Sequence, residues 1–342
     1  MKLSLLFMSL ILIGYNGVSQ KSPEIKIVPD EAKQKIDVLV DGKLFTSYIY
    51  PNEIMKPVLW PVVTPGGNEV TRNFPLKNKA GERVDHPHHV GIWFNYGDVN
   101  GLDFWNNSEA IAPEKLDGYG TIRHQKTKKI KSGTGEASLS TTSKWNDNSG
   151  NTLLDESTQF KFSATENVRI IDRTSTLTAK VDKVTFTDNK EGMFAIRVTR
   201  ELELPSDKAL ELSDSHGKIT KVASPDNSNV SGNYLSSEGI EGGDVWGTRA
   251  TWMKLSGIMN GEKVAIVIFD HKDNVGYPTY WHARTYGLFA ANTLGQKIFS
   301  DGEEELNFSL KKGDSVTFKY RLAVFTGDPT VDEIEKLAQS FQ

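Results

Sequence analysis

The chain of 342 residues carries 40 basic and 44 acidic side chains, a formal net charge of −4, and no cysteine. Because cysteine is absent, disulfides, thiolate nucleophiles and cysteine-ligated zinc or iron–sulfur centres are excluded. The nearly balanced charge, without a long basic block, argues against nucleic acid as a partner.

The first 19 residues have the pattern of a secretory signal peptide. Lys2 precedes a short apolar run at residues 3–13, and small residues follow at Gly17 and Ser19, after which we expect cleavage. A membrane anchor is the alternative, but a spanning helix needs about 20 apolar residues and this run is shorter. Secretion without disulfides fits a bacterial periplasm better than a eukaryotic extracellular space. The sequence therefore predicts a bacterial protein that is periplasmic or secreted, with no membrane partner after cleavage.

From residue 25 onward, runs of alternating polar and apolar residues with few helix formers predict β-strands with one wet face. Asp41-Gly42 and Asn260-Gly261 each lie between two such runs and predict hairpin turns. The predicted strands are residues 25–28, 35–40, 44–50, 119–131, 137–145, 152–163, 168–181, 191–204, 249–257, 263–269, 277–289, 306–310 and 315–325.

Only the C-terminus shows clear helical spacing of apolar residues, within residues 329–341. The residues concerned are Val331, Ile334, Leu337 and Phe341. Because there is no alternation of strands and helices, we expect an all-β fold. It is a large two-sheet antiparallel β-sandwich with a short C-terminal helix, rather than a small closed barrel. We expect residues 20–342 to form a single domain, with a long loop excursion rich in Ser, Gly and Asn around residues 205–247.

Three of the seven histidines fall within four positions, at His86, His88 and His89. If the segment is a strand, alternate side chains share a face, so His86 lies beside His88 while His89 lies with Trp93 on the opposite face. His86 and His88 could then bind a divalent metal with a third ligand from elsewhere. Alternatively, one histidine acts as a general acid or base while its neighbour binds a substrate hydroxyl. In the structural alternative, Pro87 kinks the chain and the histidines cap a loop.

A second candidate segment is residues 280–286. The side chains that share one face of this segment, if it is extended, are Tyr280, His282, Arg284 and Tyr286. Aromatic rings stack on the apolar side of a sugar, while Arg and His donate to its hydroxyls or carboxylate. A solvated strand face is the alternative. His271 is a short loop away from this segment and joins the candidates for catalysis.

Two further segments are weaker candidates. In residues 193–200, Arg197 lies on the face opposite the apolar Phe194 and Ile196, which suits an anionic or polyol ligand as well as it suits a structural ion pair. The glycine-rich residues 242–249 contain Trp246 and Arg249 and predict either a binding loop or an ordinary turn.

These segments also carry a family resemblance, which is contained in residues 86–94, 97–105, 191–197 and 280–287. Through them the chain resembles a bacterial family labelled methane oxygenase PmoA-like, mostly secreted proteins of polysaccharide-degrading bacteria. Copper-dependent methane oxidation in a membrane implies spanning helices, which this sequence does not show, so we do not expect a methane monooxygenase. The overall character is also similar to galactose-mutarotase-like β-sandwich proteins, which handle sugars on a concave sheet.

Together these patterns favour a periplasmic carbohydrate-active enzyme that uses histidine for acid–base hydrolysis, elimination or epimerisation. Its partner is a small sugar or oligosaccharide, bound where the histidine segment meets residues 280–286. The catalytic candidates are His88 and His282 for proton transfer, with His86 and His271. The substrate-binding candidates are Trp93, Arg197, Trp246, Arg249, Tyr280, Arg284 and Tyr286. The alternatives are a divalent-metal protein that uses His86 and His88, and a non-catalytic glycan-binding module.

Overall fold

The protein is described by a computed structural model that covers residues 22–342. The predicted signal peptide, residues 1–19, lies outside the described residues. The first eleven strands are β1 (Glu24–Asp30), β2 (Lys35–Val40), β3 (Lys43–Ile49), β4 (Val58–Val62), β5 (Glu82–Arg83), β6 (Ile92–Tyr96), β7 (Thr121–Lys131), β8 (Gly133–Thr134), β9 (Glu136–Asn146), β10 (Thr152–Ala164) and β11 (Val168–Ala179). The remaining strands are β12 (Lys183–Phe186), β13 (Gly192–Arg197), β14 (Leu210–Ser213), β15 (Ile219–Val222), β16 (Asn233–Ser236), β17 (Trp252–Met259), β18 (Glu262–Asp270), β19 (Tyr280–Ala283), β20 (Leu288–Asn292), β21 (Phe308–Lys311) and β22 (Ser315–Thr326).

Two large antiparallel sheets contain most of these strands. One sheet has nine strands in the order β19-β20-β13-β6-β4-β3-β2-β1-β8, and the other has eight in the order β16-β17-β18-β22-β11-β10-β9-β7. The predicted turns join β2 to β3 and β17 to β18, and Asp41 and Asn260 adopt the positive φ that such turns require, at 48° and 52°. Two small sheets, β12-β21 and β15-β14-β5, complete the strand pairing of residues 22–342.

The inner faces of the two large sheets share one extensive apolar core. Aromatic rings from the two sheets pack against one another in this core, for example Phe194 and Tyr320, whose ring centroids are 5.0 Å apart. Burial of each such side chain contributes about 1.5–3 kcal/mol to stability. The prediction of an all-β, two-sheet antiparallel sandwich is therefore confirmed.

The predicted C-terminal helix is present as α1 (Val331–Gln339), and it covers the outer face of the eight-stranded sheet. The helix begins at a capping box between Thr330 and Glu333, and it packs Ile334 in a cluster with Trp252 and Phe269. None of the helices in residues 22–342 has the length and apolar character needed to cross a membrane.

The outer face of the nine-stranded sheet carries a second apolar cluster, built on β4, β6, β13 and β20. Alternation along β13 directs Phe194 and Ile196 into the core between the sheets. It directs Ala195 and Arg197 to the outer face, where Ala195 belongs to the same cluster as Trp93 and Trp105. This outer face holds the candidate site.

Candidate functional site

Neighbouring strands of the nine-stranded sheet bring the two predicted segments onto one face. In register, His282 of β19 lies opposite Ala290 of β20, which lies opposite Ala195 of β13, which lies opposite Trp93 of β6. His282 and Trp93 thus lie in one row, three strand spacings or roughly 14 Å apart. The two alanines between them have only methyl side chains and leave room for the larger groups at either end. Both segments therefore lie on the outer face of one sheet, and the side chains of this row, from Trp93 to His282, are buried.

The histidine segment is a loop rather than a strand, because β5 ends at Arg83 and β6 begins only at Ile92. The chain turns at His86, which has a positive φ of 44°, and the backbone N–H of His89 donates to the carbonyl of His86 over 3.0 Å. The predicted separation of His86 and His88 from His89 was therefore wrong, since the turn removes the strand alternation on which it depended.

All three imidazoles instead lie together, with centroid distances of 5.7 Å between His86 and His88, 4.9 Å between His86 and His89, and 4.3 Å between His88 and His89. His86 also stacks on Tyr286 at 5.1 Å, and His89 stacks on Trp93 at 5.2 Å. The result is a four-ring stack in the order Tyr286, His86, His89, Trp93. We refer to these rings, with His88 and Asp85, as the histidine cluster.

Asp85 holds this cluster to the sheet through two buried guanidinium groups. Its Oδ1 accepts from Arg72 Nη1 at 2.8 Å and from Arg197 Nη2 at 2.5 Å, and its Oδ2 lies 3.3 Å from His86 Nδ1. Burial opposes ionisation of Asp85, but the hydrogen bond from His86 and the two arginine charges outweigh it. The pKa of Asp85 therefore lies well below its usual range. The ionised carboxylate orients the His86 ring through Nδ1.

Arg72 was not among the residues predicted from the sequence. Its side chain is 1% exposed, and it donates to the backbone carbonyls of Asp85, His86 and His89 over 2.7, 2.8 and 3.0 Å. Charge-assisted bonds to carbonyls are about twice as strong as neutral ones. Arg72 is thus the positioning residue that fixes the conformation of the histidine loop.

Arg197, which was predicted, belongs to the same network. Its Nη1 lies 3.1 Å from His89 Nδ1, and its guanidinium lies over the Tyr286 ring, 4.9 Å from the centroid. Because Arg197 is fully buried, it shapes the cluster from beneath. It forms an ion pair with Asp85, which was one of the two alternatives that the sequence left open for Arg197, and it does not present a free cation to solvent.

Two of the three imidazoles are held neutral by burial. Burial, reinforced by the nearby charge of Lys56, lowers the pKa of His88 to about 2, and burial places the pKa of His89 well below its ordinary value. Buried ring nitrogens of the cluster and its neighbour Trp105 have no hydrogen-bond partner within residues 22–342. These are His88 Nε2, His89 Nε2, Trp93 Nε1 and Trp105 Nε1. Buried polar atoms are normally paired, so this concentration of unpaired ring nitrogens distinguishes the cluster from the rest of the buried interior.

Strand β19 ends at Ala283, so residues 280–286 are only partly extended. Tyr280 and His282 share the outer face of the strand, and both lie against Phe299, with centroids 5.4 and 6.0 Å away. Arg284 and Tyr286 follow in the turn before β20. Arg284 lies over the Tyr286 ring at 5.9 Å and over the Trp246 ring at 5.4 Å. It thereby joins the histidine cluster to a second set of rings, Tyr280, His282, Trp246 and Phe299, which we call the aromatic patch.

His282 is 2% exposed. Burial, assisted by the charges of Lys190 and Arg284, lowers its pKa to about 3. The nearest carboxylate oxygen, Oε2 of Glu191, lies 3.6 Å from Nδ1, beyond hydrogen-bond distance, and Nδ1 has no partner within the described chain. His282 is therefore a neutral hydrogen-bonding group at physiological pH.

Two predicted residues have other surroundings. His271 packs against Phe341 with centroids 5.1 Å apart and contacts no ring of the histidine cluster, so the structure does not bring it to the site. Arg249 lies over Tyr280 at 4.2 Å but is tied to Glu304 by an ion pair of 2.5 Å. Arg249 therefore supports the aromatic patch.

The imidazoles of His86 and His88, predicted as a metal pair, are arranged edge to face. Within residues 22–342 no group of three or more His, Asp or Glu side chains is arranged to hold a metal ion. The side chains described thus do not form a ready three-ligand site, and divalent-metal binding by this pair stays a prediction from the sequence.

Comparisons with solved structures find distant likenesses. The chain is similar to the galactosidase domain of an alpha-galactosidase-sucrose kinase (7% identity, TM-score 0.44, 88% of this chain and 42% of that one) and to a beta-arabinopyranosidase (11%, 0.32, 90% and 38%). It is also similar to a galactose mutarotase related enzyme from Lactobacillus acidophilus (10%, 0.26, 89% and 99%). The chain spans less than half the length of the first two proteins, and at these identities the likeness concerns the fold alone.

No curated protein matches the sequence, and the comparisons do not support the PmoA-like label. The sequence matches the family of unknown function DUF6807 over residues 35–339. The chain belongs to this family.

Proposed function

We propose that this protein is a carbohydrate-active enzyme in which His86 transfers a proton to or from a sugar. The observation that carries the proposal is the arrangement of His86 itself. Its Nδ1 faces the ionised Asp85, its ring is fixed between Tyr286 and His89, and its side chain is 41% exposed. A base oriented by a carboxylate through one ring nitrogen, with the other nitrogen left to meet a substrate, is the arrangement used in proton transfer.

This assignment moves proton transfer from His88 and His282 to His86, which was a secondary candidate. His88 and His282 are neutral and deeply buried, so they suit hydrogen bonding to hydroxyls better than proton exchange with solvent. The pKa of a group that must be protonated and deprotonated in each cycle should lie near the working pH, which burial prevents at both positions.

A sugar is the proposed substrate because the surface around His86 combines aromatic faces with hydrogen-bonding groups. Tyr286 and Trp246 are partly exposed rings, and Arg284 contacts both of them. Rings of this kind stack on the apolar face of a sugar, while guanidinium and imidazole groups bind its oxygens. The partly exposed Arg284 takes the role of oxygen-binding cation that the buried Arg197 cannot fill.

The reaction we propose is elimination or epimerisation, in which a base removes a proton from a sugar carbon. Glycoside hydrolysis ordinarily uses two carboxylates that face one bond. In the histidine cluster the carboxylate is that of Asp85, and its Oδ1 is occupied by two arginines. Proton removal by His86 requires no second carboxylate. Elimination then expels the oxygen on the neighbouring carbon together with its bonding electron pair, whereas in epimerisation the carbon takes up a proton from solvent on the opposite face.

The test is conversion of a panel of neutral and acidic mono- and oligosaccharides, followed by NMR. We expect the wild-type protein to convert at least one member and His86→Gln to lose that conversion by two orders of magnitude or more, about the contribution of a general acid or base. The matched control is His216→Gln, since His216 is exposed in the loop between β14 and β15 and should keep full activity. Binding of sugars without conversion by the wild-type protein would instead identify a glycan-binding module.

A location outside the cytoplasm is part of the proposal and is supported by the sequence pattern of residues 1–19 alone. Expression of the full chain in a bacterium, followed by fractionation and N-terminal sequencing, tests it. We expect a periplasmic or secreted product that begins after Ser19. A product that keeps Met1 and stays in the cytoplasm would contradict this part.

A further inference from the structure

Beside the histidine cluster lies a lysine that neither the sequence patterns nor the proposed mechanism uses. Lys56, just before β4, is 4% exposed. Its Nζ donates to the backbone carbonyl of His88 over 2.8 Å and lies 5.5 Å from the centroid of the Trp93 ring. It forms no ion pair with a carboxylate of residues 22–342. The charge of Asp103 acts on it only at longer range. An ammonium has three donors, and one is accounted for by His88.

A buried and unpaired ammonium is costly, so such a group either loses its proton or binds an anion. Burial lowers the pKa of Lys56 to about 7, and Asp103 offsets this only in part. An anion placed against Nζ would raise the pKa again and restore the charge. The lysine is thus prepared for a negatively charged partner that the described chain does not itself provide.

Lys56 opens onto a cavity of about 80 Å³. The other polar residues that line this cavity include His88 and Asn107, and each of these two has a buried side-chain atom without a hydrogen-bond partner within the described chain: Nε2 of His88 and Oδ1 of Asn107. Apolar side chains, among them Ile54 and Val90, form much of the remaining wall. A buried cation therefore lines a space that holds a few non-hydrogen atoms, which is the size of a carboxylate and its neighbouring hydroxyl.

We propose that this cavity binds the carboxylate of an acidic sugar, a uronate, with Lys56 as the cation. The inference rests on the proposed function and names its substrate class. The His88 ring that lines the cavity lies 5.7 Å from the His86 ring, so a bound carboxylate lies next to the proton-transferring residue. Pairing of a carboxylate with a cation acidifies the neighbouring C–H, which is the proton that elimination or epimerisation removes.

Two carboxylates, Glu53 and Glu109, also line the cavity. Both are exposed, and charges in water are screened far more than charges in the interior. Their charges are therefore weakened by solvent, whereas the charge of the buried Lys56 is not.

The test compares binding of D-galacturonate with binding of D-galactose by calorimetry near neutral pH. We expect the wild-type protein to bind galacturonate more tightly, and Lys56→Met to weaken galacturonate by roughly ten- to a hundredfold, the value of a charge-assisted hydrogen bond, with galactose unchanged. The matched control is Lys311→Met, an exposed lysine of β21, which should bind both sugars as the wild type does. Lys56→Gln is the second variant, because it keeps a donor but removes the charge.

The outcome separates this inference from the proposed function, because binding is measured without turnover. His86→Gln should keep galacturonate binding within a few-fold while conversion is lost. If the wild-type protein binds the two sugars equally, or does not bind galacturonate, or if both Lys56 variants stay folded and keep the preference, the inference is overturned while proton transfer by His86 on another sugar would still stand.

Discussion

Acidification is expected to destabilise this protein through its buried imidazoles, and His282 gives a quantitative case. Its pKa is about 3 in the folded protein and about 6.5 in an unfolded chain. Because the folded pKa is the lower one, the unfolded state takes up the proton first. The contribution of His282 is therefore fully present above about pH 6.5 and is lost as the pH falls toward about 3. Between about pH 7 and pH 5 the loss amounts to about 2 kcal/mol.

The measurement is the free energy of unfolding in urea at both pH values, for the wild type and for His282→Gln. The buried His88 and His89 contribute to the pH dependence of both proteins, so their effects cancel in the comparison. We expect the wild type to lose about 2 kcal/mol more than the variant over this range, and the exposed-site control His216→Gln to behave like the wild type. Equal losses in the wild type and His282→Gln would show that His282 is not held neutral in the folded protein.

Three further substitutions test how the site is built. Arg72→Met removes the donors that hold the histidine loop and leaves the loop carbonyls buried. The free energy of unfolding should therefore fall by about 3–5 kcal/mol. A loss below about 1 kcal/mol would show that the loop keeps its conformation without Arg72. Lys56→Met replaces a buried unpaired cation with an apolar side chain of similar length. It should stabilise the protein by about 1–4 kcal/mol below neutral pH. A lower melting temperature of the variant would contradict the conclusion that Lys56 has no ion-pair partner. Ala195→Leu places a larger side chain between Trp93 and His282 and should lower the free energy of unfolding by about 1–3 kcal/mol. An unchanged stability in urea would mean that the space above Ala195 is not filled.

The fold followed from sequence because its signals are local. Alternation of polar and apolar residues marked the strands, Asp41-Gly42 and Asn260-Gly261 marked two hairpins, and helical spacing marked α1. Each of these patterns depends on neighbours within a few positions, where backbone geometry decides which side chains share a face. The meeting of the histidine segment with residues 280–286 could be anticipated only as a requirement of the functional hypothesis.

The parts of the site that sequence reasoning missed depend on contacts between distant segments. The prediction of which side chains share a face with His86 was wrong because the chain turns at His86. Nothing in the neighbouring residues distinguishes a loop from a strand interrupted by Pro87. Arg72 and Lys56 stand in segments without a repeating pattern, and their importance comes from burial against backbone carbonyls of another segment. His271 was grouped with residues 280–286 by proximity in the chain, although it packs against the C-terminal residues on the other large sheet.

The central claim is that His86 carries a proton between solvent and a sugar carbon. Incubation of the sugar panel in D2O, with mass spectrometry of substrate and product, tests it directly. We expect the wild type to yield either a product with solvent deuterium at one carbon or an unsaturated sugar, and His86→Gln to yield neither. A product that keeps every original C–H hydrogen and gains no double bond, or deuterium exchange that persists in His86→Gln, would contradict it.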